Sequence, residues 1–389
     1  MASLKKTQHP ILNFMPRLIT LRRDLHAAPE LSDNEQKTAG AINEFFEQLN
    51  PDQVIAPLGS NWIAFLFDSR RPGPTVVFRC ELDAIPIQEK NDFAYRSRIT
   101  GVSHKCGHDG HMAIMAGFGC LISLNRPKKG RIILVFQPAE ETGRGAAAVV
   151  EDPEFKNLNA DYAFALHNFP GHPLGDVLIK SGTINYASCG MIVRLAGRAS
   201  HSAWPEDGRS PALPMCDLID ALTKLPSSPA LNQFYSKLTV VHARLGDPAF
   251  GLSPAYAEVM ATLRSETDEG LSALAEHAVS LVKEKAARAD LGNEIRWTEK
   301  FVASVNDPAA CEIVKKAAIA AGAKVIYLEA ALPVSEDFGQ ISARMPGAMF
   351  GLGAGKNCPK LHQADYDFPE ELIKIGSNIF WEIARLLVY

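Results

Sequence analysis

Arg131-Ile132-Ile133-Leu134-Val135-Phe136-Gln137-Pro138-Ala139-Glu140-Glu141 decides how the chain is read, because an apolar run of strand length ends on two adjacent carboxylates. Neighbouring residues at a strand end point in different directions. One carboxylate can then bind a cation while the other accepts a proton from water beside it. In that division Glu141 is the ligand and Glu140 the base. Alone, such a pair is more often a solvated loop, so its meaning depends on what surrounds it.

Outward from this run, similar apolar segments stand at 62–67, 75–80 and 162–166, interleaved with a predicted helix at about 110–124. Toward the N-terminus, Leu12, Met15, Leu18, Ile19, Arg22 and Leu25 keep a helical rhythm that Pro29 ends, and Ser32 with Glu35 forms a capping-box pattern before the next helix. From about residue 187 the texture changes to a β-α-β-β-α order, while a helix at 307–321 and an apolar run at 348–352 resume the first pattern. The expectation is an α/β fold with a discontinuous domain, 1–186 and 299–389, on a central mixed sheet flanked by helices. An inserted, smaller α+β (ferredoxin-like) domain covers 187–298. A chain of 389 residues exceeds what one core usually supports, which agrees with two domains.

In open α/β sheets, ligands gather at the carboxyl ends of strands. That rule joins Asp83, Glu140, Glu141 and His167, each at the end of an apolar run. The densest cluster is Ser103-His104-Lys105-Cys106-Gly107-His108-Asp109-Gly110-His111, where Cys106 and His108 on one turn offer thiolate and imidazole to a borderline divalent ion. Its alternative is a histidine-rich helix start capped by Asp109. His167 and His362 are each, taken singly, more often surface or core histidines than ligands. Asp83, in Cys80-Glu81-Leu82-Asp83-Ala84-Ile85-Pro86, reads equally as a capping residue or as a group orienting a ligand or the base.

Composition removes other classes. Hydrophobic residues at 47%, charged residues at 22% and a net charge of -4 describe a globular protein without the basic field that nucleic-acid binding needs. Residues 1–12 lack the apolar core of a secretory signal, and no run approaches a membrane span, so a cytoplasmic protein with no membrane partner is expected. Seven irregularly spaced cysteines predict free thiols rather than a disulfide framework, and no Cys-x-x-Cys pair supports a redox role.

Together these residues resemble the aminoacylase/carboxypeptidase-type metal amidohydrolases, in the branch of hippurate hydrolases, N-acyl-amino-acid amidohydrolases and auxin-conjugate hydrolases. The likeness runs through Arg23-Asp24-Leu25-His26, Pro29-Glu30-Leu31, Asp83-Ala84-Ile85-Pro86, Cys106-Gly107-His108-Asp109-Gly110-His111, Pro138-Ala139-Glu140-Glu141, His167, His201-Ser202, Ser335-Glu336-Asp337-Phe338 and His362. The resemblance implies two divalent ions held by Cys106, His108, Glu141, His167 and His362; by their donor chemistry, zinc or manganese come first and cobalt or nickel are also admitted. Cys106 stands where related enzymes use a bridging aspartate. It implies Glu140 as base, with Asp83 beside it in a catalytic role. It makes the inserted domain a lid that can form a homodimer. His201 then stabilises the oxyanion from the same chain or a partner subunit, and Arg264 holds a substrate carboxylate. The implied substrate is a small N-acyl amino acid. A dipeptide cleaved at the same metal site, or a catalytically silent binding protein, is the alternative. Two departures, Glu81 where aspartate is usual and Lys105 where a small residue is usual, predict an altered mouth to the metal pocket. His26, His104 and His111 match motif positions with no assigned role.

Overall fold

Strands covered on both faces read as continuous apolar runs, and Thr75–Glu81 and Gly347–Gly353 are buried along their whole length. In the computed structural model of the protein, which describes residues 10–389, these runs lie inside an eight-stranded mixed sheet. The leader reading, up to residue 9, falls outside the described residues. In order across the sheet the strands are Gln53–Ile55, Ile63–Asp68, Arg131–Gln137, Thr75–Glu81, Tyr162–Phe169, Gly347–Gly353, Val177–Ile179 and Val325–Tyr327. The middle four run parallel, so their carboxyl ends share one edge. Residues on the two faces alternate into separate cores. Phe65, Phe67, Phe78 and Phe136 pack with the helices Met15–Ala27, His108–Leu124 and Glu371–Val388, while Ala64, Leu66, Val77 and Ile133 pack on the other side with Val149 and Phe155.

The chain divides into two compact units. The larger runs to Ile184 and includes Val305–Ala330 and Asp337–Tyr389; the smaller is Asn185–Ser304 with Ala331–Glu336. The smaller unit differs from the sequence reading, which confined it to 187–298. The strand Gly292–Phe301 carries it further, and Ala331–Glu336 joins through the Tyr186 N–H donating to the Val334 carbonyl. Its sheet order is Ser236–Leu245, Tyr256–Ser265, Ala187–Ala196, Gly292–Phe301, all antiparallel. With helices Ala212–Lys224 and Asp268–Arg288 this makes β-α-β-β-α-β. The last strand was not expected from sequence because it is an edge strand exposed over nearly its whole length, with a short apolar alternation at Ile295 and Trp297 among charged residues. Among the described residues, no helix is long and apolar enough to cross a membrane.

Candidate active site

The parallel edge of the larger sheet delivers the predicted residues to one place. Glu81 ends one strand and Asp83 follows it, Glu140 and Glu141 follow the next, and His167 lies near the end of a third. Cys106 sits on the turn into helix His108–Leu124, which Gly107 makes with φ +96°. A Cβ at Gly107 would stand 2.0 Å from the Asn168 Oδ1, so only glycine fits. His362, also at positive φ, is fixed by donating its backbone N–H to the Lys105 carbonyl at 2.8 Å.

Two triads share one sulfur. Cys106, His108 and His167 form the first, and Cys106, Glu141 and His362 the second, with the ligand atoms of each within 4.8 Å of one another. The Cys106 Sγ is 3.4 Å from the His167 Nε2, and the Glu141 Oε1 is 3.6 Å from the His362 Nε2. Hydrogen bonds orient the rings. His108 donates from Nδ1 to the Asp83 carbonyl at 2.8 Å and His167 from Nδ1 to the Asn168 carbonyl at 2.9 Å, so in each ring Nε2 is the nitrogen that faces the cluster. Glu140 belongs to neither Cys106 triad, yet its Oε2 is 3.8 Å from the His108 Nε2.

The donor set suits divalent cations. Thiolate, imidazole and carboxylate converge, and the buried His108 Nε2 and Glu141 Oε1 make no hydrogen bond among the described residues. Burial, with Glu141 and Glu140 nearby, pushes the Cys106 thiol well above its ordinary pKa. Burial opposes charge on His108, but Asp83, Glu81 and Glu141 outweigh it and push it up to about 10. Both groups therefore carry protons in the ion-free protein at neutral pH, and a cation must displace them. Apparent ion affinity should rise with pH between about 6 and 8, approaching a slope of two for the pair. Chelator competition at a series of pH values measures this; a flat profile contradicts it.

Beneath this cluster lie two charged networks that sequence did not assign. In the first, His111 donates from Nδ1 to the Glu81 Oε2 at 2.7 Å, and its Nε2 accepts from the Asn168 N–H at 3.2 Å. Arg79 pairs with Glu81 and donates to the Gln137 Oε1 at 2.8 Å and to the Asp337 Oδ1 at 2.5 Å. In the second, Arg22 and His26 both reach the Asp109 Oδ2, at 2.7 and 2.8 Å, and Lys105 reaches the Glu89 Oε1 at 2.5 Å. Glu81 and Lys105 are therefore fully buried supports, not parts of a pocket mouth as their sequence positions suggested. The physical reason is that each has an opposite charge waiting inside, Arg79 and Glu89 respectively. Burial drives the His104 pKa down to about 3. The signal available in sequence was the odd charge within an apolar strand, Arg79 and Glu81.

The smaller unit holds the other two predicted residues. His201 is exposed on the short strand Ser200–His201, where its Nδ1 accepts from the Ala203 N–H at 3.1 Å. Arg264, on Tyr256–Ser265, is half-buried and donates to the neutral Ser335 hydroxyl at 2.5 Å; that hydroxyl also meets Ser188 at 2.6 Å.

A family model described as peptidase family M20/M25/M40 matches residues 77–386. The chain is 27% identical over 376 residues to the N-acetylcysteine deacetylase of Bacillus subtilis, covering 96% of this chain and 98% of that one. It is also 27% identical over 395 residues to thermostable carboxypeptidase 2 of Saccharolobus solfataricus, with 96% of each covered. Among solved structures, a Bacillus subtilis protein described as a dinuclear metal binding peptidase from the M20 family is similar at TM-score 0.80 and 26% identity, covering 96% of this chain and 98% of that one.

Proposed function

The chain belongs to the M20/M25/M40 peptidase family, and on that premise we propose that it hydrolyses the amide bond of N-acyl amino acids with Glu140 as general base. Hydrolysis of amide bonds is common to the relatives, which include deacetylases and carboxypeptidases. The observation that carries the proposal is the placement of Glu140, a carboxylate beside the ligand cluster but outside both Cys106 triads. With His108 and Glu141 it also forms a further group of converging ligand atoms, and the proposal gives it the proton rather than an ion.

Cys106, His108, Glu141, His167 and His362 would hold the divalent pair, which when bound would supply Lewis acidity to a carbonyl and to water. Glu140 takes the proton from the water that attacks the carbonyl carbon. It returns that proton to the amine nitrogen as the C–N bond breaks, leaving a carboxylate and a free amine. Asp83 accepts the Glu141 N–H at 3.0 Å and fixes the backbone of the carboxylate pair. In the same proposal His201 donates to the developing oxyanion, and zinc or manganese is the native ion. Self-association runs through the smaller unit; a monomer at every concentration in sedimentation velocity contradicts that part.

Arg264 is given the substrate carboxylate, a role supported by its pairing with a neutral hydroxyl rather than an acid. Arg264→Ala should raise KM about tenfold or more while kcat changes little, the loss of one charge-assisted contact. A kcat defect at constant KM contradicts the assignment.

A second reading, dipeptide or C-terminal peptide cleavage, is favoured by the relatives named carboxypeptidases. Rates on N-acetyl and N-benzoyl amino acids and on dipeptides, each with zinc, manganese, cobalt or nickel restored, separate the two. The proposal expects kcat/KM for the acyl amino acids to exceed that for dipeptides by about tenfold or more. The reverse ranking overturns it.

A further inference from the structure

Ser32 and Glu35 read as a capping box, but neither caps the helix Gln36–Glu47. Their side chains turn away from that helix toward the carboxylate pair. The Ser32 hydroxyl donates to the Asp83 Oδ2 at 2.7 Å, and the same oxygen accepts the Glu141 N–H at 3.0 Å. Glu35, fully buried, accepts the Ala139 N–H on Oε1 at 2.8 Å together with the Asp33 N–H at 3.0 Å, and its Oε2 accepts from the Asn61 Nδ2 at 2.9 Å. One short loop thus fixes the backbone on both sides of Glu140.

The need for such a fixture is written in the backbone. Ala139 has φ +52°, in the left-handed region that a residue with a Cβ rarely adopts. Its carbonyl accepts the Gly145 N–H at 3.0 Å, closing a turn so tight that a Cβ on Gly145 would stand 1.6 Å from the Pro138 carbonyl oxygen. A strained residue persists only where its surroundings over-determine it, and the Glu35 carboxylate is the side chain that bonds the Ala139 N–H.

We propose that Glu35 is a positioning residue for Glu140: by holding the Ala139 N–H it keeps the left-handed turn that directs the Glu140 carboxylate away from the ligand position taken by Glu141. The proposal rests on the reading of Glu140 as base. A buried carboxylate that only stabilised the fold would affect the amount of folded protein, whereas a positioning residue affects what the folded protein does.

Glu35→Gln keeps the shape and removes the charge that grips the N–H groups. In folded protein with unchanged ion content, kcat should fall by about 10- to 100-fold with KM within about threefold, the cost of a misplaced catalytic group. Amide exchange of the peptide carrying Ala139, followed in the ion-free protein, should accelerate relative to peptides elsewhere. Ala139→Gly introduced into Glu35→Gln should recover part of the lost kcat, because glycine holds positive φ without help. Unchanged kcat, or a loss with neither faster exchange at Ala139 nor recovery by glycine, overturns the proposal. Should Glu35→Gln not fold, Asn61→Ala, which frees the other carboxylate oxygen, gives the same test: lower kcat with faster exchange at Ala139 supports the clamp, and wild-type values overturn it. Glu140→Gln is measured in parallel. If it remains active, the base assignment and the clamp both fail; if it is inactive while Glu35→Gln behaves as wild type, only the clamp fails.

Discussion

Glu140→Gln should lower kcat by about 10³-fold or more, near the upper range for loss of a general base, while the protein retains its ions. Glutamine matches the shape and polarity of the side chain and can still hydrogen-bond in its place, but it cannot carry a proton from water to the amine. Retention of ions follows from geometry, because both Cys106 triads are complete without Glu140. The nearly buried side chain leaves little room for a solvent carboxylate to substitute. Substantial residual activity would show that another group takes the proton.

Cys106→Ala should empty the site. The sulfur is the one atom common to both triads, so its loss weakens both positions at once rather than removing a single ligand from one. Ion content after desalting should fall well below that of the wild type, with turnover near background; elemental analysis reads the first and a discontinuous amide assay the second. Cys106→Asp should recover part of the ion content, since a carboxylate can also be shared between cations. If Cys106→Ala keeps its ions, the sulfur is a neighbour and not a ligand.

Much of this site was legible from strand ends. The runs before Asp83, Glu140 and His167 are apolar over strand length, and parallel pairing then makes their carboxyl ends share an edge, as it does here. The ligand-dense Cys106–His111 stretch needed only a turn, and Gly107 supplies it. What sequence could not reveal is where charges go once buried. Lys105 and Glu81 look like surface residues until Glu89 and Arg79 are brought to them from other segments. The capping-box pattern of Ser32 and Glu35 misled for the same reason. A local partner is visible in sequence, but a better one, the strained Ala139 N–H, is more than a hundred residues away. The polar edge strand Gly292–Phe301 was likewise silent, because pairing to Ala187–Ala196 rather than an apolar face defines it.

The account stands most directly on the division of labour between two adjacent carboxylates. Ion content and kcat of Glu140→Gln and Glu141→Gln, measured side by side, test it. The prediction is that Glu140→Gln keeps the wild-type ion content and is inactive, whereas Glu141→Gln, which loses a ligand of the Cys106, Glu141 and His362 triad, purifies with fewer ions. Ion loss in Glu140→Gln together with full ion content in Glu141→Gln would contradict it.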